Sequence, residues 1–134
     1  MKKLIMVLLL LVSQSVMAEW TYVLESDSTK TYIDISTIKK TGNGIFKYWD
    51  LDDSNEIQTL NGVDKFHSMV TSREVNCYKE EFRDFYYVLY SGHMGEGDVK
   101  GNDVGTQKWR PQVPRSIGWI ELKFICDYVK KNPK

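Results

Sequence analysis

The two histidines, and the acidic residues after the second one, are the first places to look for metal chemistry in this chain. His93 is followed by Glu96 and Asp98, and an imidazole with two carboxylates is a ligand set that divalent metals accept. The spacing matches no known ligand motif, and the intervening glycines are typical of tight-loop positions with positive φ. His67 has no acidic partner on its own face of a predicted strand. We therefore predict no metal site and no cofactor.

A second acidic stretch, Asp50–Glu56, resembles a calcium-binding loop in its spacing of acidic residues. Such a loop needs a glycine at its sixth position and a bidentate acid at its twelfth. This chain has Asn55 and Asn61 at those positions. We expect Asp50–Glu56 to be a solvated loop at a hairpin tip.

Catalytic chemistry has little support in the residue pattern. No serine lies in a Gly-x-Ser-x-Gly elbow, and the glycine-rich stretch Gly92–Gly105 is acidic and lacks the lysine–serine ending of a phosphate-binding loop. The 18 acidic residues allow many carboxylate pairs of the hydrolase type, but nothing selects one of them. We therefore predict that the chain is not an enzyme, and a small hydrolase stays the weakest of three function classes.

The first residues of the chain predict export. A short positive region is followed by an apolar run, Leu4–Val12, and by small residues at Val16 and Ala18 that suit a cleavage site. The apolar run is too short to serve as a permanent membrane anchor. We expect residues 1–18 to be removed as a signal peptide, and residues 19–134 to form a single domain with no integral membrane segment. This domain would be periplasmic or secreted.

Charge and cysteine content narrow the class of partner. The chain carries 18 basic and 18 acidic residues, which gives no electrostatic argument for binding nucleic acid or an anionic membrane. Cys77 and Cys126 are the only cysteines, and in an exported chain two cysteines predict one disulfide. Closing a loop of roughly 50 residues would stabilise the fold by about 4 kcal/mol.

The densest aromatic run lies within Arg73–Tyr90 and predicts a central strand. Strict alternation would place Tyr86 on one face of this strand, and Phe85 and Tyr87 on the other. Surplus tyrosine, tryptophan and arginine side chains are typical of protein interfaces, although most aromatics of a small domain belong to its core. The candidate binding residues are Tyr86, Tyr87, Tyr90, Trp109 and Arg110.

Short alternating segments separated by turn clusters predict the other strands. Ser116 predicts the N-cap of a C-terminal helix that ends near Lys130. The segment Asp34–Lys40 predicts one helical turn, capped by Asp34 or Ser36. We therefore expect an α+β fold, with an antiparallel sheet of about five or six strands and one C-terminal helix packed on it.

The order of several segments resembles the surface-adhesin protein E family of small exported bacterial domains. The matching segments are Tyr32–Lys40 (YIDISTIKK), Tyr48–Leu51, Asn76-Cys77, His93–Val99 (HMGEGDV), Trp109 with the prolines after it, and Ser116 to Cys126. The resemblance covers nearly the whole mature chain and implies an antiparallel sheet with a C-terminal helix and an adhesive, protein-binding role. The chain lacks the N-terminal lipidation cysteine of anchored members, which leaves both the periplasm and the cell surface open as destinations.

We accordingly predict an exported, non-enzymatic, adhesin-like binding domain of the cell envelope. The resemblance implies host extracellular matrix or plasma proteins as its partners. The alternative is a periplasmic inhibitor or accessory subunit of an envelope enzyme. A clustered, exposed aromatic face would favour either of these classes, whereas a deep cleft with two converging carboxylates would favour the hydrolase.

Overall fold

A computed structural model describes residues 19–62 and 64–133 of the chain. The predicted signal peptide lies outside these residues, so its removal stays a prediction. The described elements, in chain order, are strands β1 (Trp20–Ser26), β2 (Thr29–Gly42), β3 (Ile45–Leu60), β4 (Asp64–Asn76) and β5 (Glu81–Tyr90), a short 3-10 helix (His93–Gly95), strands β6 (Val99–Val104) and β7 (Arg110–Pro111), and helix α1 (Ile117–Lys131).

The strands form one antiparallel sheet in which β1 to β6 lie side by side in sequence order. The two-residue β7 pairs with the start of β5, and β6 pairs with its second half. Gly44 is needed at the turn between β2 and β3, because its φ is 69° and the ring of Tyr78 packs against its α-carbon. The predicted α+β fold is confirmed, with β7 as an addition to the expected strands.

Helix α1 packs on one face of the sheet and forms the core with it. Ser116 caps the helix by accepting a hydrogen bond from the backbone N–H of Trp119 at 3.3 Å, and Lys130 and Lys131 lie at the negative end of the helix dipole. The buried core residues are Ile33, Tyr48, Val75, Phe82, Leu122 and Ile125. Within the described part of the chain, no helix has the length and apolar character to cross a bilayer.

The predicted disulfide between Cys77 and Cys126 is confirmed. Cys77 follows β4 directly and Cys126 lies within α1, with their Cα atoms 5.8 Å apart. The bond ties α1 to the end of β4. Because it joins positions 49 residues apart, it also restricts the unfolded chain and so stabilises the fold.

Two predicted local structures are wrong, and pairing between strands explains both. Residues Asp34–Lys40 continue β2 instead of forming a helical turn, and Asp50–Glu56 lies within β3 instead of forming a loop. The Asp34 carboxylate accepts hydrogen bonds from the backbone N–H and hydroxyl of Ser36, as a helix cap would. These bonds stabilise a bulge, where the pairing of β2 with β3 shifts register.

Candidate functional site

The face of the sheet opposite α1 carries side chains that could meet a partner. Residues directly opposite each other on neighbouring strands share a face, and successive residues of one strand point to opposite faces. Tyr48 and Val75 lie in the core under α1, so Lys47 and Glu74, which pair with each other, point away from the helix.

The strand register places two rows of side chains on this side, opposite α1. The rows are Lys39, Lys47, Glu74 and Arg83, and beside them Trp49, Ser72, Tyr86 and Val104. We call these two rows, together with Phe85 and Trp109, the open face.

Cationic side chains stack on aromatic rings across the open face. The Nζ atom of Lys47 lies 4.5 Å from the ring centroid of Phe85, and the Cζ atom of Arg83 lies 5.1 Å from the same centroid. Arg83 also lies 4.5 Å from the ring of Trp109. Because these distances fall within the range of cation–π attraction, the rings and the charges hold one another in place.

A bulge in β5 brings Phe85 to the open face. Ser72 pairs with Tyr86 and Arg73 pairs with Asp84, which leaves Phe85 as an extra residue without a partner on β4. The prediction from strict alternation, which put Phe85 and Tyr86 on opposite faces, is therefore wrong. The extra residue reverses the alternation at this point, so Tyr86 follows Phe85 onto the same face.

Charges on the open face are unevenly compensated. The buried carboxylate of Glu74 accepts hydrogen bonds from Arg83 Nε and Thr41 Oγ1, both at 2.7 Å. Lys39 and Lys47 lie directly opposite each other. Among the described residues, no carboxylate lies within 4.0 Å of either ammonium group. The open face therefore presents two positive charges that the fold leaves uncompensated.

The five residues predicted to bind a partner lie on both sides of the sheet. Tyr86, which is 37% exposed, and Trp109 belong to the open face. Tyr90 points to the same side, further along β5. Tyr87 points to the α1 side, and Arg110 bonds there to a carboxylate of β5. The structure thus brings Tyr86 and Trp109 to one face and separates Tyr87 and Arg110 from them, and a binding role for any of the five stays a prediction.

Of the residues of the open face, only Tyr86 and Trp109 are among the five predicted binding residues. The helical turn predicted over Asp34–Lys40 obscures the position of Lys39, and strict alternation places Phe85 on the face opposite Tyr86. Lys47 could have been found, because it alternates with the core residue Tyr48 along a strand.

A second candidate site lies on the α1 side, where a polar cavity of about 240 Å³ opens beside the start of the helix. Its charged lining consists of Asp52, Arg73, Arg110 and Glu121. Arg73 donates through Nη1 to Glu121 at 2.7 Å and through Nε to Asp84 at 2.6 Å. Arg110 donates to the other oxygen of Asp84 at 2.7 Å. The two guanidinium groups therefore bridge several carboxylates.

Asp50 contacts the same guanidinium from within the core. Its Oδ2 atom lies 3.0 Å from Arg73 Nη1, but neither carboxylate oxygen accepts a well-aligned hydrogen bond from the described residues. Burial raises the pKa of Asp50 well above the usual aspartate value, and Glu121 adds to this effect while Arg73 opposes it. Burial also raises the pKa of Asp52. Burial therefore opposes a charge on Asp50 and on Asp52 in the folded protein.

The carboxylates that line the cavity are engaged within the fold. Glu121 Oε2 accepts a hydrogen bond from the buried hydroxyl of Tyr48 at 2.8 Å, in addition to that from Arg73. Asp52 Oδ1 accepts one from Thr31 at 2.7 Å. A general base must reach a proton of its substrate, whereas these oxygens reach groups of the protein. The arrangement fits an ion cluster that fastens α1 to the sheet.

The two histidines come together beside the 3-10 helix. The ring centroids of His67 and His93 lie 4.4 Å apart. His93 Nδ1 lies 3.0 Å from Asp53 Oδ1, and His67 Nδ1 lies 3.0 Å from the backbone oxygen of Ser54. Within residues 19–62 and 64–133, no three His, Cys, Asp or Glu side chains are grouped as metal ligands would be.

The fold and the open face define a class of protein. It is a small, disulfide-tied α+β domain whose sheet is covered by a helix on one face and presents stacked aromatic and cationic side chains on the other. Such side chains are typical of binding surfaces. The chain belongs to the surface-adhesin protein E family, whose sequence profile matches residues 20–127.

Solved structures of protein E from Haemophilus influenzae share this fold. Crystal form II has a TM-score of 0.66 at 13% identity, covering 84% of this chain and 91% of that chain. A further structure of the same protein has a TM-score of 0.65 at 13% identity, covering 89% and 92%. Protein E from non-typeable Haemophilus influenzae has a TM-score of 0.61 at 12% identity, covering 89% and 82%. These likenesses establish the fold alone, and no curated sequence matches the chain significantly.

Proposed function

We propose that the mature chain is an exported, non-enzymatic binding domain of the bacterial cell envelope that acts as an adhesin toward host extracellular matrix or plasma proteins. Membership of the surface-adhesin protein E family supports an adhesive role outside the cytoplasm. The observation that carries the proposal is the open face, where Phe85 and Trp109 stack with cations on the side of the sheet that α1 leaves uncovered.

A partner would meet side chains that are already ordered. Tryptophan, tyrosine and arginine dominate the energetics of protein interfaces, and a side chain that is fixed before binding loses little entropy on association. Arg83 is held by its ion pair with Glu74 and by the rings of Phe85 and Trp109. Truncation of Trp109 would remove apolar contact area and the support of Arg83 together, so we expect Trp109 to dominate the affinity.

Binding of residues 19–134 to a panel of immobilised matrix and plasma proteins tests the proposal. We expect saturable binding to at least one member, weakened by about 2 kcal/mol or more in each of the variants Trp109→Ala and Tyr86→Ala, as hot-spot residues are. Tyr22→Ala is the matched control, because Tyr22 is 51% exposed but lies on the edge strand β1, remote from β5 in the sheet.

The outcomes separate the function from its location. No saturable binding to any panel member would overturn the adhesin proposal and favour a periplasmic inhibitor or accessory subunit. Binding that survives both substitutions would keep the function and remove the open face as its site. Fractionation of the producing cells, with surface proteolysis as the readout, tests the destination. Protein that is protected from protease in intact cells would contradict display at the cell surface.

A further inference from the structure

We infer that the open face takes an acidic segment of the partner protein at the pair Lys39 and Lys47. This inference rests on the proposed binding function and names the chemistry of the partner. The two lysines lie directly opposite each other on β2 and β3, an arrangement in which like charges destabilise a sheet. The ion pairs of the described residues include neither of them. A carboxylate delivered by a partner would remove this repulsion.

The nearest carboxylate in the same row does not compensate the charges of the two lysines. Glu74 lies opposite Lys47, but its two oxygens accept hydrogen bonds from Arg83 and Thr41. The ammonium of Lys47 lies over the ring of Phe85 instead, 4.5 Å from its centroid. A cation over an aromatic ring still attracts an anion from the other side, since the ring carries no net charge.

A groove of about 720 Å³ runs beside the lysine pair. Its lining includes both lysines of the pair and the half-buried side chain of Trp49. The groove therefore offers positive charge and one flat apolar wall in the same place. An occupant that combines carboxylates with apolar side chains would match both.

The charge distribution favours a protein segment over a long polyanion. A polyanion gains its affinity from an extended track of cations, and the chain as a whole has a formal net charge of +0. On the open face, the two uncompensated cations lie at the groove and are bordered by Trp49 and Phe85. A segment with a few acidic residues among apolar ones would place its carboxylates on the lysines and its apolar side chains on the rings.

The probe is a fluorescent peptide of alternating glutamate and tryptophan, compared with its glutamine counterpart by anisotropy titration. We expect the glutamate peptide to bind about tenfold more tightly at low salt, the size of effect that a few partly exposed ion pairs give, and the difference to shrink as salt screens the charges. The double variant Lys39→Gln/Lys47→Gln should remove this difference. Lys65→Gln/Lys100→Gln is the matched control, because both lysines are exposed and lie outside the open face.

Melting temperatures of the variants distinguish a loss of peptide binding from a loss of folding. Relief of the repulsion should leave the double variant at least as heat-stable as the wild type, so a loss of peptide binding would not reflect unfolding. If the double variant fails to fold, Lys39→Gln alone is used, because Lys39 is exposed on the strand surface. That single variant should lose at least threefold in affinity for the glutamate peptide, about half of the effect on a logarithmic scale.

Each remaining outcome decides against the inference or against the proposed function. Equal affinity for the two peptides, or unchanged binding by the lysine variants, overturns it. Tighter binding of heparin than of the glutamate peptide, with the same lysine dependence, overturns the protein segment in favour of a sulfated polysaccharide. If the panel proteins bind independently of the lysines, the proposed function stands and this inference falls. If the glutamate peptide binds through the lysines and no panel protein binds, the adhesin proposal falls and the acidic-segment site stands.

Discussion

Replacement of Arg73 tests whether the buried ion cluster fastens α1 to the sheet. The guanidinium lies within 3.0 Å of carboxylate oxygens of Asp50, Asp84 and Glu121, and the Arg73 side chain is 16% exposed. Arg73→Met keeps much of the apolar stem but leaves these carboxylates without their common cation. Removal of one partner from a buried ion pair costs about 3–5 kcal/mol. We expect about 3 kcal/mol at neutral pH, the lower end, because Arg110 still bonds to Asp84.

Urea unfolding followed by tryptophan fluorescence, at about pH 7 and about pH 5, measures this loss. The loss should be smaller at the lower pH, because carboxylates that have lost their cation take up protons more readily in the folded state. Arg115→Met is the matched control, since Arg115 is exposed and lies outside the ion pairs of the described residues. A loss below about 1 kcal/mol, the size typical of exposed pairs, would refute the reasoning.

Three further changes, one of them with a control variant, probe the same architecture. Cys77→Ser should lower the free energy of unfolding by about 4 kcal/mol, because it opens a loop over 49 residues, and an unchanged melting temperature in non-reducing buffer would contradict this. Leu122→Ala should cost about 2–5 kcal/mol, because Leu122 is 0% exposed. Ile120→Ala, at a 41% exposed position, should cost far less, and equal costs would show that α1 is oriented differently. Burial raises the folded-state pKa of Asp50, so charging this carboxyl destabilises the fold as the pH rises above the usual aspartate range. Asp50→Asn should therefore gain stability relative to the wild type with rising pH. A stability difference that stays constant across the pH range would count against this reasoning.

Features that depend on local chemistry could be predicted from the sequence. Ser116 identifies the start of α1 because its side chain can accept a hydrogen bond from a backbone N–H of the first turn, whatever the helix packs against. The pairing of Cys77 with Cys126 follows from export and from the presence of two cysteines. The alternation of apolar and polar residues likewise predicts the strands, and with them an antiparallel sheet under a C-terminal helix.

Features that depend on strand pairing could not be predicted. The polar pattern of Asp34 and Ser36 is the same in a helix cap and in a strand bulge, and the choice is made by β3, where the backbone N–H of Trp49 donates to the hydroxyl of Thr37. The ion cluster around Arg73 is equally hidden, because its carboxylates come from β3, β5 and α1. Only the folded sheet brings them together.

The bulge at Phe85 also decides which substitutions can test binding. Arg110 has the residue type of an interface hot spot, but its guanidinium bonds to a carboxylate of β5 on the α1 side at 2.7 Å. Its truncation would therefore disturb the ion cluster as well as any interface. Tyr87 also points to the α1 side. Tyr86 and Trp109 lie on the open face, away from that cluster. Loss of partner binding in Trp109→Ala, with little change in the free energy of unfolding, would thus separate recognition from folding, which a substitution of Arg110 cannot do.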